Sequence, residues 1–128
     1  MKALASVLIL IGFGGAHAYA ACNYPKAPEK LPDGATATKQ EMVDAMQLIR
    51  KYNADIKTYT DCLGQEIDTQ QKAAKADASL TKEQREEMKR QSDMKVQKVN
   101  AAVDEAEAVT ARFNEQVKTF NSKGKDKG

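Results

Sequence analysis

The chain has 128 residues, with 20 Lys and Arg against 18 Asp and Glu and a formal net charge of +2. That balance lacks the strong basic bias of a nucleic-acid binder. One His, two Cys and no Trp leave few of the side chains that carry nucleophilic or metal chemistry.

The N-terminus reads M-K-A-L-A-S-V-L-I-L-I-G-F-G-G-A-H-A-Y-A. Lys2 supplies a positive start and Ala3 to Gly15 an apolar stretch. Small-x-small sites follow at Ala16-His17-Ala18 and Ala18-Tyr19-Ala20. This pattern predicts a secretory signal peptide over residues 1–20, too short to be a membrane span. Export places the protein in the periplasm, and no later segment is apolar enough to cross a bilayer. A lipoprotein anchored at Cys22 is the competing reading. It is disfavoured because Tyr19 stands three places before the cysteine, where lipoprotein processing wants a Leu-like residue. Cleavage after Ala20 leaves 108 of the 128 residues, enough for one domain, and removes His17.

Cys22 and Cys62 are the two cysteines. In an oxidising compartment an even, minimal count points to one disulfide, with two buried free thiols as the alternative. Residues 21–37 carry Pro25, Pro28 and Pro32, spaced too closely for a helix, so an extended Pro-rich arm is expected. Pro32-Asp33-Gly34 is a turn signal, in which Gly34 is expected to supply a positive φ.

Thr38 and Glu41 form a capping box that starts a first helix. Its apolar residues, Met42, Ala45, Ile49, Tyr52, Ile56, Tyr59 and Leu63, recur in steps of three and four, the spacing of a helix–helix seam. Composition favours helix to about Ala76, with Gly64 as a candidate kink or stop. A connection near 77–81 leads to a second capping box, Thr81 with Gln84, and a second helix to about Asn121. Its predicted seam runs Val96, Val99, Val103, Ala106, Thr110, Phe113, Val117 and Phe120. The stretch between about 64 and 95 is polar on nearly all faces, with Glu86–Arg90 as an expected i,i+4 pair. The basic tail 122–128 is expected to be disordered.

Two long helices with a short link predict an all-α antiparallel hairpin over 38–121. If facing residue numbers sum to about 160, the two apolar seams lie opposite each other, away from the turn. Cys62 lies roughly 36 Å down the first helix at 1.5 Å per residue. Sixteen extended residues span about 50 Å, so the arm can fold back and be clamped by Cys22–Cys62. Tyr24 and Leu31 would then cover the seam.

K-Y-N-A-D-I-K-T-Y (51–59) and R-F-N-E-Q-V-K-T-F (112–120) look alike. Heptad packing explains the matching apolar positions. An ancient duplication would explain the identical Asn, Lys and Thr as well.

These residues point away from catalysis. Loss of His17 and oxidation of both cysteines exclude Ser–His and Cys–His arrangements, so an enzyme is not expected. No cofactor is implied. Met42 and Met46 at i,i+4 have a spacing that could hold Cu(I), but Met is also an ordinary core residue, and no metal is expected. A homodimer, an envelope protein or an unfolded client could complete the shallow core, with Val43, Met46, Ala102 and Val109 widening its apolar face.

The series Cys22, Pro28, Pro32-Asp33-Gly34, Met42, Ala45, Tyr52, Tyr59 and Cys62-Leu63 resembles a group of small exported proteobacterial proteins of unknown function. There a proline-bearing arm precedes a helix ending in Y-x-x-C-L. That resemblance implies export, the disulfide and the hairpin, and brings no activity with it. Leu80-Thr81-Lys82-Glu83-Gln84 is similar to the L-T-x-x-Q motif of Spy- and CpxP-type periplasmic chaperones, which hold unfolded clients without ATP. They carry the motif twice, and this chain carries it once. Together these readings describe a non-enzymatic binding or structural protein of the envelope, with an ATP-independent chaperone or envelope-stress protein as the alternative.

Overall fold

The computed structural model describes residues 21–124. Helix α1 spans Lys39–Ala76 and helix α2 spans Lys82–Lys123. They pack as an antiparallel hairpin closed by the five-residue link 77–81. The predicted signal peptide lies outside the described residues, as do residues 125–128 of the tail.

Both helices begin where local chemistry dictates. The Thr38 hydroxyl accepts from the Glu41 amide, and the Glu41 carboxylate accepts from the Thr38 amide at 2.7 Å. Thr81 and Gln84 repeat the arrangement on α2. Each box satisfies two amides that the first helical turn leaves without partners. Inside the link, Asp77 accepts from the amide and the hydroxyl of Ser79. The Arg85 guanidinium donates to the carbonyls of Ala74 and Asp77 at 2.7 Å, tying the end of α1 to the start of α2.

Gly64 neither stops nor divides α1, which runs unbroken through it. Helix α2 extends past the expected end at Asn121, and Ser122 and Lys123 are its last residues. The Lys123 ammonium donates to the Ala37 carbonyl at 2.6 Å and sits 4.6 Å from the centre of the Phe120 ring. Those two contacts hold the final turn in place. On the polar tip, Arg90 pairs with Glu87, and Glu86 lies 3.9 Å from Lys82. The expected Glu86–Arg90 pair is therefore replaced on both sides.

The core of α1 is Met42, Ala45, Ile49, Tyr52, Ile56, Tyr59 and Leu63, all buried. From α2 the buried apolar residues are Ala102, Val109 and Phe113, with Val99, Ala106, Val117 and Phe120 partly buried against them. Val103, expected in this core, is instead 40% exposed, and Val96 is 44% exposed. Ala102 and Val109, expected beside the seam, are its deepest members at 0% and 1%. The inward rows of α2 are thus 92/99/106/113/120 and 95/102/109/116/123. The expected row 99/106/113/120 stays inward, and 95/102/109/116/123 takes the place of the row through Val96 and Val103.

Beyond Leu63 the seam turns polar. Glu66 pairs with Lys95 at 3.1 Å. Gln70 donates to Gln91 at 3.0 Å and accepts from Ser92. This half is held by hydrogen bonds and by α-helix formation itself, so it gains little from apolar burial.

Candidate functional site

The hairpin has two long sides, and the arm occupies one of them. Cys22 is bonded to Cys62 with a Cα–Cα distance of 5.8 Å. Two residues on, the Tyr24 ring packs edge-on against Tyr59, with centroids 5.1 Å apart and planes at 78°. Its hydroxyl donates to Glu105 of α2. That bond, followed by burial, holds the Tyr24 hydroxyl well above the usual phenol range. Ala27 and Leu31 lie against the core. Pro28, Leu31, Val109 and Arg112 line a small pocket of about 240 Å³ where the arm crosses α2. Val109 lies where the arm crosses α2, on the side of the hairpin that the arm covers.

The arm ends in a turn built on Asp33. Its carbonyl accepts from Thr36 and Ala37, and its carboxylate accepts from the Ala35 amide at 2.8 Å. Gly34 does not adopt positive φ here. Its requirement is space: a Cβ on Gly34 would stand 2.0 Å from the Gln116 carbonyl oxygen. The Gly34 amide donates to the Gln116 side chain at 2.9 Å. A backbone-to-backbone approach of this kind admits only glycine.

The other long side is open. Asn53 of α1 donates to Thr110 of α2 at 3.1 Å across it. Seven-residue spacing puts Met46, Thr60 and Ile67 in the Asn53 row, and Val96, Val103 and Val117 in the Thr110 row. The antiparallel register set by Asn53–Thr110 then pairs Met46 with Val117, Thr60 with Val103, and Ile67 with Val96. No charged residue stands in these four layers. A shallow groove of about 430 Å³ lies beside Asn53, Val103 and Thr110, floored by Ile56 and Ala106 and edged by Asn114 and the charged Glu107. One polar atom on this side has no partner among the described residues: the Asn53 Oδ1, which is buried without a donor.

A third cluster surrounds the disulfide. Cys22, Cys62 and Glu66 bring their ligand-type atoms within 4.8 Å of one another. The Cys22 Sγ lies 3.3 Å from Glu66 Oε1. The sulfurs are bonded to each other and the second Glu66 oxygen faces Lys95, so the group is not arranged to hold a cation. Deeper in the core, Tyr52 is 3% exposed. Its hydroxyl makes no hydrogen bond of ordinary geometry among the described residues; burial pushes its pKa up, and the nearby Tyr24 hydroxyl acts against that rise. Met42 and Met46 do not share one environment: Met42 is buried in the core, and Met46 sits partly buried on the open side.

The disulfide and the first-helix core are the candidate residues the structure brings together most tightly. Sequence reasoning missed Glu105 and Gln116, which receive the arm on α2. Both look like ordinary solvated helix residues, and only the path of the arm gives them a role. Among the described residues no helix is long and apolar enough to cross a membrane. Comparison with known proteins finds no matching family model, no matching curated protein and no matching solved structure.

Proposed function

We propose that this chain is an exported, non-enzymatic helical-hairpin protein that acts by binding in the cell envelope. The observation that carries the reading is the open groove beside Asn53 and Thr110, opposite a side already covered by a disulfide-held arm. An open groove floored by Ile56 and Ala106 is the kind of surface a partner covers. The Cys22–Cys62 bond supports an oxidising compartment, and the leader-like residues 1–20 support export to the periplasm. Intact mass of the cell-envelope fraction tests this directly. The expected mass starts at Ala21 and is two hydrogens below the reduced chain. A cytosolic protein that keeps residues 1–20 and has two alkylatable thiols overturns it.

The second reading is an ATP-independent holdase. It draws on the L-T-x-x-Q sequence at Leu80–Gln84 and on the same open groove, which would take an unfolded apolar segment. A holdase suppresses aggregation of a denatured client at near-stoichiometric ratio. Absence of suppression removes this reading and leaves the first standing.

A further inference from the structure

We infer that Glu66 guards the Cys22–Cys62 bond, so that the clamp resists reduction by anionic thiols. Both cysteines are only partly buried, so a small reagent can reach the sulfurs and the charges beside them tune the rate. Glu66 stands one helical turn after Cys62, on the same face of α1. Its Oε1 lies 3.3 Å from the Cys22 Sγ, and both sulfurs and the carboxylate fall within 4.8 Å of one another. The carboxylate is held in that place. Its Oε2 pairs at 3.1 Å with Lys95 of α2, whose ammonium also lies 3.5 Å from the Gln70 side-chain oxygen. Glu66 and Lys95 expose only 27% and 26% of their side chains. Theirs is the one ion pair among the described residues that joins the two helices; the others link positions three or four apart in sequence.

Reduction begins when an external thiolate attacks one of the two sulfurs. A bond forms between the attacking sulfur and that cysteine, and the Cys22–Cys62 bond breaks. Its electron pair leaves on the other cysteine, which then takes a proton from water. A second external thiolate attacks the external sulfur of the mixed disulfide. That frees the first cysteine and leaves the two reagent molecules oxidised to their own disulfide. Attack at Cys22 brings the reagent's negative charge onto the sulfur beside Glu66. Attack at Cys62 drives the leaving charge onto that same Cys22 sulfur. Neither route escapes the carboxylate. Lys95 does not cancel the effect, because it binds the far oxygen and leaves Oε1 facing the sulfur.

The test uses the oxidised chain from Ala21 and its Glu66→Gln variant, which keeps the shape of the side chain and removes the charge. Reduction is followed by alkylation and intact mass at one pH and matched thiolate concentration. The reagents are mercaptoacetate, 2-mercaptoethanol and cysteamine, which add a negative charge, no charge and a positive charge to the same thiolate. Loss of a unit charge this close is expected to speed reduction by 2-mercaptoethanol by about 10-fold. The gain is larger with mercaptoacetate and smaller with cysteamine. Added salt speeds reduction of the wild type by mercaptoacetate more than that of the variant. Rates unchanged by Glu66→Gln overturn the inference. An equal gain with all three reagents also overturns it, because that is the mark of a loosened arm and not of a lost charge.

Discussion

Two glycines show how differently the same residue type is used. Gly34 has the Gln116 carbonyl where its side chain would be, and Gly64 has nothing within 4 Å. Gly34→Ala is expected to cost about 1–3 kcal/mol, because backbone must move on both elements. Gly64→Ala is expected to stabilise by roughly 0.5–1 kcal/mol, because an exposed mid-helix glycine gives up backbone entropy for no contact. Urea denaturation of both variants checks the pair, and equal effects would contradict the contrast. The sequence marked Gly34 through its Pro-Asp-Gly setting but supplied the wrong reason. A turn signal is local, whereas the contact with Gln116 spans 82 residues.

At the scale of elements, the helix starts were legible because capping is decided within four residues. The roll of α2 was not. Val103 and Val117 offer one apolar row, and Ala102 and Val109 offer another. Hydrophobicity alone favoured the valines. The row through Val109 is the one on the side where the arm crosses α2. The two capping boxes also differ chemically, because Glu41 can be protonated and Gln84 cannot. Hydrogen bonds from the Thr38 amide and hydroxyl hold the Glu41 carboxyl below its ordinary 4.5. A depressed carboxyl contributes stability that is complete above its unfolded value and is lost as pH falls through the folded one. Acidification from about pH 4.5 downward should therefore speed hydrogen exchange of the Thr38 amide and leave the Thr81 amide protected. Gln84→Glu should make the second box acid-sensitive too. Equal loss at both amides in the wild type would rule out this account.

For the whole molecule, the sequence argued the hairpin, the arm and the clamp from arithmetic: helix rise, arm reach and the centres of two seams. What it could not place was the side on which the arm falls, and so which groove stays open. A 40-residue separation closed by Cys22–Cys62 contributes roughly 4 kcal/mol in the chain-entropy treatment. For a hairpin whose distal half is polar, that is a large share of the total. Reduction should lower the urea midpoint accordingly and free the Tyr24 ring from Tyr59. A reduced protein within about 1 kcal/mol of the oxidised one would mean that packing of Ala27, Leu31 and Gly34 holds the arm without the bond.

The bond also decides how the molecule bears load. Tension applied between its two ends enters at Cys22 and passes straight across to Cys62, so the arm and the first two-thirds of α1 carry none of it. The pull falls on the last third of α1 and on α2, and so passes through the polar tip between them. Some 40 residues, or roughly 130–145 Å of extended chain, stay folded away from the line of force until the sulfurs part. Stretched in an oxidising space, the protein is a short tether. Reduced, it becomes a long one.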